Sequence, residues 1–381
     1  LHPFVTSFVK RSLLQCSLRT SHFFLVSSMR RIFGLLLVAA AAVPSARGDF
    51  PAPCFQVNLD LPPAQRWNES MHAIVDMYGW DASFGMLTTW MGKLVPEWVF
   101  EMVDGIAEDL LQDMGEYGEE ITGVYETMKS LAPESLDLQL SEVVVENIIY
   151  ELSAYCTSIV AQNTNGSIYH GRNLDYPIPG LQNVTAQVDF MSGGELAYHG
   201  TAFIGYVGLL TGMRPGAFSI SVDERDVNAS DPIGELLLNL ESALEGGKAL
   251  GIFVRSTIAE QTSYETALPV LANTRLVTPV YLIVAGAQEG QGAVITRSRN
   301  GTDNADGPSN GVWTLDAAAG AWYRAETNYD HWEKAGDGRR FAAEKAMNST
   351  GAARIEAATL YDVLSTPPVL NGITKYTTIM S

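Results

Sequence analysis

The chain is poor in the residue types on which several common mechanisms depend. Only three of its 381 residues are cysteine (Cys16, Cys54 and Cys156), too few for a disulfide-stapled scaffold. The six histidines show none of the Cys/His spacing of a zinc site, and none stands in the context of a Cys/His protease. Lys+Arg number 24 against 43 Asp+Glu, a net charge of −19. That balance removes the cationic surface that nucleic-acid binding needs. There is no internal repeat, and the apolar stretch Ile32–Val43 is short for a membrane span. With 46% apolar and 18% charged residues, the chain can bury a full core and is not disordered.

The first 48 residues read as lying outside the fold. Met29, the first methionine, is followed by Arg30-Arg31, the apolar stretch, and small residues at Ala46 and Gly48. This is the pattern of a secretory signal, Met29–Gly48, with cleavage expected before Asp49. Residues 1–48 carry six Lys+Arg and no acid, which leaves a net charge of −25 for the remainder. Six N-x-[ST] triplets, at Asn68, Asn165, Asn183, Asn228, Asn300 and Asn348, suit an exported glycoprotein. The acid excess also suits an acidic lumen such as the lysosome. Carboxylates begin to protonate there and self-repulsion falls.

The remainder changes texture near residue 155. Residues 64–155 show apolar residues at three- and four-residue steps. One stripe is Leu87, Trp90, Met91, Leu94 and Trp98, either ordinary helix packing or an exposed face that meets a membrane and admits a fatty substrate. After Cys156 strand signals begin. Ser158–Ala161 and Ile168–Leu174 flank Asn165-Gly166, and Val184–Phe190 and Leu196–Thr201 flank Gly193-Gly194; both read as hairpins. Strands are expected again at 217–222, 280–285, 293–297, 322–326 and 375–379. Helices are expected at 233–245, 250–260, 264–271, 341–347 and 355–364, with a surface loop over 300–311. Blocks of strands and helices in this order predict antiparallel sheets covered by helices, an α+β fold.

An isolated cysteine is ordinarily a small buried apolar residue. Cys156 differs in position, standing where the helical texture meets the first strand. A hairpin turning at Asn165-Gly166 carries Arg172 and Asp175 back beside it, and a nearby cation favours a thiolate. If the Tyr155–Cys156 bond is cut, the α-amino group of Cys156, with a reference pKa of about 8, can serve as base for its own thiol. No histidine base is then required. For Arg172 and Asp175 alone, a structural ion pair bracing the hairpin is the plainer reading.

Cys156-Thr-Ser-Ile-Val-Ala followed by His170-Gly-Arg-Asn-Leu-Asp resembles the acid ceramidase and N-acylethanolamine acid amidase family. Matching stretches occur at 203–212, 221–226, 327–332 and 375–378, so the resemblance covers about residues 55–381. It implies an N-terminal-nucleophile hydrolase: an αββα four-layer sandwich over residues 156–381, with residues 49–155 as an all-helical α subunit released by self-cleavage between Tyr155 and Cys156. On this resemblance Cys156 is the nucleophile, and Arg172 and Asp175 orient its amine and thiol. Asn328 donates to the oxyanion, Glu224 is an active-site glutamate linked to maturation, and Arg339 matches a family arginine. The implied substrates are N-acylated lipids, cut to fatty acid and amine in the lysosome without metal or organic cofactor. Glu224 within Asp-Glu-Arg-Asp looks more like the N-acylethanolamine branch, and Val57–Pro63 and Tyr361–Leu370 more like the ceramidases. Cys54 is the only cysteine expected in the α subunit, and Cys156 the only one in the β subunit. The inter-subunit disulfide of acid ceramidase is therefore absent, and the two parts must hold by packing. The rival reading is a secreted lipid-binding glycoprotein that remains one chain.

Overall fold

The computed structural model describes residues 12–13, 49–149, 155–225, 238–239, 241–243, 245–303, 310–334 and 336–381. The expected signal segment, the junction at 150–154 and Asn228 lie outside the described residues, as does most of the helix expected at 233–245. Within the segment expected to lie outside the fold, β1 (Ser12–Leu13) pairs in parallel with the last strand.

After β2 (Cys54–Asn58), six helices follow: α1 (Asn68–Tyr78), α2 (Phe84–Leu94), α3 (Glu97–Asp104), α4 (Ala107–Asp113), α5 (Glu116–Leu131) and α6 (Leu140–Ile149). The strands of the catalytic region begin with the hairpin β3 (Tyr155–Gln162) and β4 (Ile168–Asp175). Then come β5 (Thr185–Ser192), β6 (Glu195–Phe203), β7 (Thr211–Arg214) and β8 (Phe218–Glu224). Helices α7 (Leu250–Glu260) and α8 (Tyr264–Asn273) precede β9 (Val280–Gly286), β10 (Gly292–Ser298), β11 (Gly301–Thr302), β12 (Val312–Thr314) and β13 (Tyr323–Glu326). Helices α9 (Arg339–Thr350) and α10 (Ala357–Leu364) and the strand β14 (Thr374–Met380) close the chain.

Two sheets face each other. One runs β1-β14-β4-β3-β13; the other runs β11-β10-β9-β8-β7-β6-β5-β2, with β12 paired to β10. Helices α9 and α10 lie on the smaller sheet and α7 and α8 on the larger, so the layers are α, β, β, α. The two expected hairpins form. Gly166 takes φ +84° in one turn, where the side-chain oxygen of Asn163 accepts from the Asn165 and Ser167 N–H groups. Gly171 of β4 marks a close helix-to-sheet approach, because a Cβ there would meet Leu364 and Leu360 of α10 at 2.9 and 3.0 Å.

Five strands escape the sequence reading: β1 in the segment read as outside the fold, β7, β11 inside the expected loop at 300–311, β12, and β2. The last has the largest consequence. Cys54–Asn58 adds in parallel to β5, so the helical segment contributes an edge strand to the catalytic sheet. One continuous apolar core joins Trp67, Met71, Ile121 and Val144 of that segment to Val188, Leu209, Phe253 and Leu282. Neither Cys54 nor Cys156 is in a disulfide. The polar fastening is a buried carboxylate, Glu120 of α5. It accepts from Arg66 Nη1 (2.7 Å), Trp67 Nε1 (2.6 Å), and Arg255 Nη1 (2.5 Å) and Nη2 (3.0 Å). Arg255 belongs to α7 across the expected cleavage point, and its guanidinium lies 4.6 Å from the ring centre of Phe190.

Of the six sequons, Asn68, Asn165, Asn300 and Asn348 are exposed. Asn183 is half-buried, and its Nδ2, the atom a glycan would need, donates to Ala82 O at 2.7 Å.

Removing one member of a fully buried charge cluster strands the others. Glu120→Ala is expected to cost about 3–5 kcal/mol. Glu116→Ala, whose carboxylate on Arg66 is 53% exposed, should cost about 1 kcal/mol or less. Urea midpoints at constant slope measure both, and equal losses would contradict the role given to Glu120.

Candidate active site

Register fixes the geometry of the site. In the β3–β4 hairpin Cys156 faces Leu174, Ser158 faces Arg172 and Tyr155 faces Asp175. Side chains alternate along a strand, so Cys156, Ser158, Arg172 and His170 share the face that meets the larger sheet. Every one of these four is buried. The hairpin therefore brings Arg172 onto the thiol as the sequence predicts: Arg172 Nη2 donates to Cys156 Sγ at 2.7 Å. The guanidinium is anchored by Leu210 O (3.1 Å), Thr211 Oγ1 (2.8 Å) and Tyr376 Oη (3.3 Å).

Asn328 and Arg339 hold the backbone of the same residue. Cys156 N–H donates to Asn328 Oδ1 at 2.9 Å, and Arg339 Nη1 donates to Cys156 O at 2.6 Å. Arg339 Nη2 also reaches Asn328 Oδ1 (2.7 Å), while Asn328 Nδ2 donates to Glu224 O (2.9 Å). Asn328 thus acts on Cys156 as an acceptor in the intact chain. Asp175 lies on the other face of the hairpin, 3.7 Å from Arg339 Nη1, and accepts from Asn371 Nδ2 (2.7 Å) and Thr374 Oγ1 (2.5 Å). It orients Arg339 rather than the thiol. Tyr155 is 43% exposed, with the Arg339 guanidinium 5.5 Å from its ring centre.

The thiol itself departs from the expectation of an activated thiolate. Burial pushes Cys156 up to about 12, outweighing the Arg172 guanidinium, and the charges of Asp223 and Asp175 act in the same upward direction. The intact chain therefore holds Cys156 as a neutral thiol.

Strand alternation separates Glu224 from its neighbour. Ser219, Ser221 and Asp223 of β8 point at the hairpin, and Glu224, half-buried at the strand end, belongs to the other face. The carboxyl beside Arg172 is Asp223, at 3.8 Å. Sequence reasoning missed it, although the alternation Phe218-Ser-Ile-Ser-Val-Asp223 carries the signal: polar residues every second position in a buried strand.

The Leu87/Trp90/Met91/Leu94/Trp98 stripe divides. Leu87, Trp90 and Met91 line a narrow, mostly apolar cavity of about 20 Å³ between α2, α6 and the 203–206 turn, with Glu146 and Asn147 in its wall. They face inward rather than toward a membrane, because α2 packs its apolar side onto the catalytic region. Trp98 is 42% exposed, and the Leu94 side chain lies outside the described part. Packed aromatic side chains stand between this cavity and Cys156. Trp90 meets Tyr176 edge-on at 6.5 Å, and Phe203 lies 5.9 Å from Tyr376, which carries Arg172. Among the described residues no group of three His, Cys, Asp or Glu side chains could hold a metal, and no helix is long and apolar enough to cross a membrane.

The choloylglycine hydrolase family of linear amide C–N hydrolases matches residues 156–352, beginning at the candidate nucleophile. The chain belongs to this family. A second match, described as the beta subunit of N-acylethanolamine-hydrolyzing acid amidase, covers residues 50–114. The chain is 41% identical over 354 residues to the N-acylethanolamine-hydrolyzing acid amidase of Mus musculus, covering 91% of each. It is 35% identical to the acid ceramidase of Pan troglodytes, covering 88% of this chain and 85% of that one. The solved structure of the Caenorhabditis elegans N-acylethanolamine-hydrolyzing acid amidase ortholog aligns at TM-score 0.54 and 38% identity, over 59% of this chain and 92% of that one. The layered fold inferred from the resemblance is thus that of an amide hydrolase family.

This choloylglycine-family site is built for acid. Burial is the largest cause in pushing Glu146 up to about 8, Asp175 to about 6, Asp223 to about 7 and Glu326 to about 8. It pushes His170 down to about 3 and His331 to about 4. A carboxyl raised in the folded state contributes stability that is fully present below its unfolded value and is lost as pH rises through its folded value. A lowered imidazole loses its contribution as pH falls below about 6.5. Four carboxyls outweigh two imidazoles between about pH 4.5 and 8. The melting temperature of the intact chain is therefore expected to rise as pH falls from 7.5 to 5. A melting temperature that drops over that interval in a fluorimetric scan would contradict this assignment.

Proposed function

We propose that this chain is the precursor of an acid amidase that hydrolyses the fatty-acyl amide bond of N-acylated lipids, N-acylethanolamines foremost. The observation that carries the reading is the treatment of Cys156. Its thiol, its N–H and its carbonyl are each held by a separate buried side chain, Arg172, Asn328 and Arg339. The bonds to its N–H and carbonyl hold the residue next to the bond that self-cleavage would break. The family match opening at residue 156 supports the same boundary.

The chemistry follows from these parts. In maturation, Sγ adds to the Tyr155 carbonyl carbon and the Tyr155–Cys156 C–N bond breaks. The thiol proton goes to the leaving nitrogen, and water then hydrolyses the thioester to the Tyr155 carboxylate and the free thiol. This yields an α subunit ending at Tyr155 and a β subunit starting at Cys156, which remain a heterodimer through β2, the shared core and Glu120–Arg255. The new amine takes the proton of its own thiol. In turnover, Sγ attacks the acyl carbonyl and the amine returns its proton to the departing ethanolamine or sphingoid nitrogen. Water frees the fatty acid from the thioester. An oxyanion donor is worth ~3 kcal/mol, and Asn328 supplies one when its Nδ2 turns from the Glu224 carbonyl. The acyl chain enters by parting the apolar wall beside Trp90 and Phe203, whose resting space of about 20 Å³ holds no more than water. No step calls for a metal or organic cofactor.

The acid excess, the sequons and the buried protonated carboxyls suit a glycoprotein of the lysosome, with transient contact at lipid surfaces. Ceramide is the second reading, carried by the acid ceramidase relatives.

Incubation near pH 4.5 and at pH 7, followed by N-terminal sequencing, is expected to give a new terminus at Cys156 in acid, with amidase activity appearing alongside. Cys156→Ala should remain one inactive chain; an intact wild-type chain in acid would return the lipid-binding reading. Met91→Trp fills the cavity and is expected to lower kcat/KM for long-chain amides about tenfold or more, while short-chain amides are spared. Equal losses for both would remove the acyl-chain role of that cavity. That factor of ten corresponds to about 1.4 kcal/mol of lost binding.

A further inference from the structure

A chain of hydrogen bonds runs between the two sheets from the nucleophile to the far end of the sandwich, and the proposed chemistry does not use it. Ser158 Oγ donates to Asp223 Oδ1 at 2.6 Å, and Ser221 Oγ donates to Ser158 Oγ at 2.9 Å. His170 Nε2 lies 2.8 Å from Ser221 Oγ, and its Nδ1 lies 2.9 Å from Ser219 Oγ. Since Ser221 spends its proton on Ser158, Nε2 must donate to it, which leaves Nδ1 to accept from Ser219. A neutral imidazole fits this tautomer, and burial keeps His170 neutral. Every donor in the chain therefore points at Asp223. The other end is not sealed: Ser219 lines an open cleft of about 380 Å³ formed with residues 167–169, 213–214, 216–218, 285–287 and 380–381.

Asp223 is unusual as a terminus. It is fully buried, its Oδ2 has no hydrogen-bond partner, and Oδ1 lies 3.8 Å from Arg172. Arg172 donates directly to the thiol. The charged and titratable groups around it are Cys156 on β3, Arg172 and Asp175 on β4, and Tyr281 opposite it on β9. Glu326 on β13, Arg339 on α9 and Tyr376 on β14 complete the set, with Glu224 and Arg225 beside it in its own chain. An ionised Asp223 opposes Arg172 and disfavours the thiolate; a neutral one leaves the guanidinium to act on Sγ.

We propose that Asp223 is the acid-sensing positioning residue for self-cleavage, and that Ser219, His170, Ser221 and Ser158 form the path by which its proton arrives from the far cleft. This rests on the self-cleavage reading above. The proton is supplied by bulk acid; no bond other than O–H and N–H bonds along the chain changes.

The test follows the rate of appearance of the Cys156 terminus against pH in the full-length protein, with Cys156→Ala as the uncut control. Asp223→Asn fixes the neutral form. It is expected to be cut at pH 7 about tenfold or more faster than wild type, as loss of one nearby like charge shifts a thiol by 1 unit or more. Its rate should be nearly flat between pH 5 and 7. Ser158→Ala removes the bond that favours the ionised carboxyl and is expected to move the midpoint of acid activation to higher pH. It decides the matter if Asp223→Asn does not fold. A wild-type chain that is never cut overturns the self-cleavage reading. A wild-type chain cut only in acid, with folded variants that keep its pH profile, overturns the role of Asp223 alone.

Discussion

Arg172 is fully buried between two β-sheets, and a guanidinium there persists only if its surroundings neutralise and hydrogen-bond it. The partners that do so are the parts of the site. One arm reaches the Cys156 thiol, another is fixed by Thr211, Leu210 and Tyr376, and Asp223 supplies the countercharge. The β3–β4 register that places Arg172 opposite Ser158 also sets Asp175 opposite Tyr155. Asp175 then holds Arg339 where it caps the Cys156 carbonyl. Tyr376 connects the same guanidinium to Phe203 at the mouth of the apolar cavity. One buried cation thereby ties the Cys156 thiol, the Asp223 carboxyl and the wall of the apolar cavity into one construction.

The same desolvation acts on the thiol of the intact chain. A thiol in this seam stays protonated despite its cation, and its nitrogen is locked in a peptide bond that donates to Asn328. Cutting that bond would supply the missing base. The helical segment is more than a cover. It adds strand β2 to the catalytic sheet, shares the apolar core, and inserts Glu120 under Arg255. Docking of that kind substitutes for a disulfide between the two parts.

Periodicity made much of this legible in advance. The β3–β4 hairpin, its turn at Asn165-Gly166 and the return of Arg172 to Cys156 follow from alternation and a turn dipeptide alone. The helices expected at 250–260 and 264–271 were marked by their apolar spacing. The resemblance to amide hydrolases supplied Asn328 and Arg339, which sequence distance alone could not bring to Cys156. What escaped depends on contacts across the fold. Strand β2 is five residues long and pairs with a segment 133 positions away, so nothing local announces it. Asp223 was passed over for Glu224 because choosing between adjacent acids requires knowing which face of β8 is inward. The tryptophan stripe was ambiguous for the same reason: apolar spacing shows that α2 has a face, and only the packed structure shows that the face turns inward.

The most direct measurement is the pH dependence of Cys156 alkylation by iodoacetamide, before and after cleavage, in a Cys54→Ser background with each site read by peptide mass spectrometry. The account predicts that the uncut chain shows no rise in Cys156 reactivity up to pH 9, whereas the cut enzyme reacts readily near neutral pH. A Cys156 that alkylates in the uncut chain with a midpoint at or below about 8.5, the value of an ordinary free thiol, would contradict it.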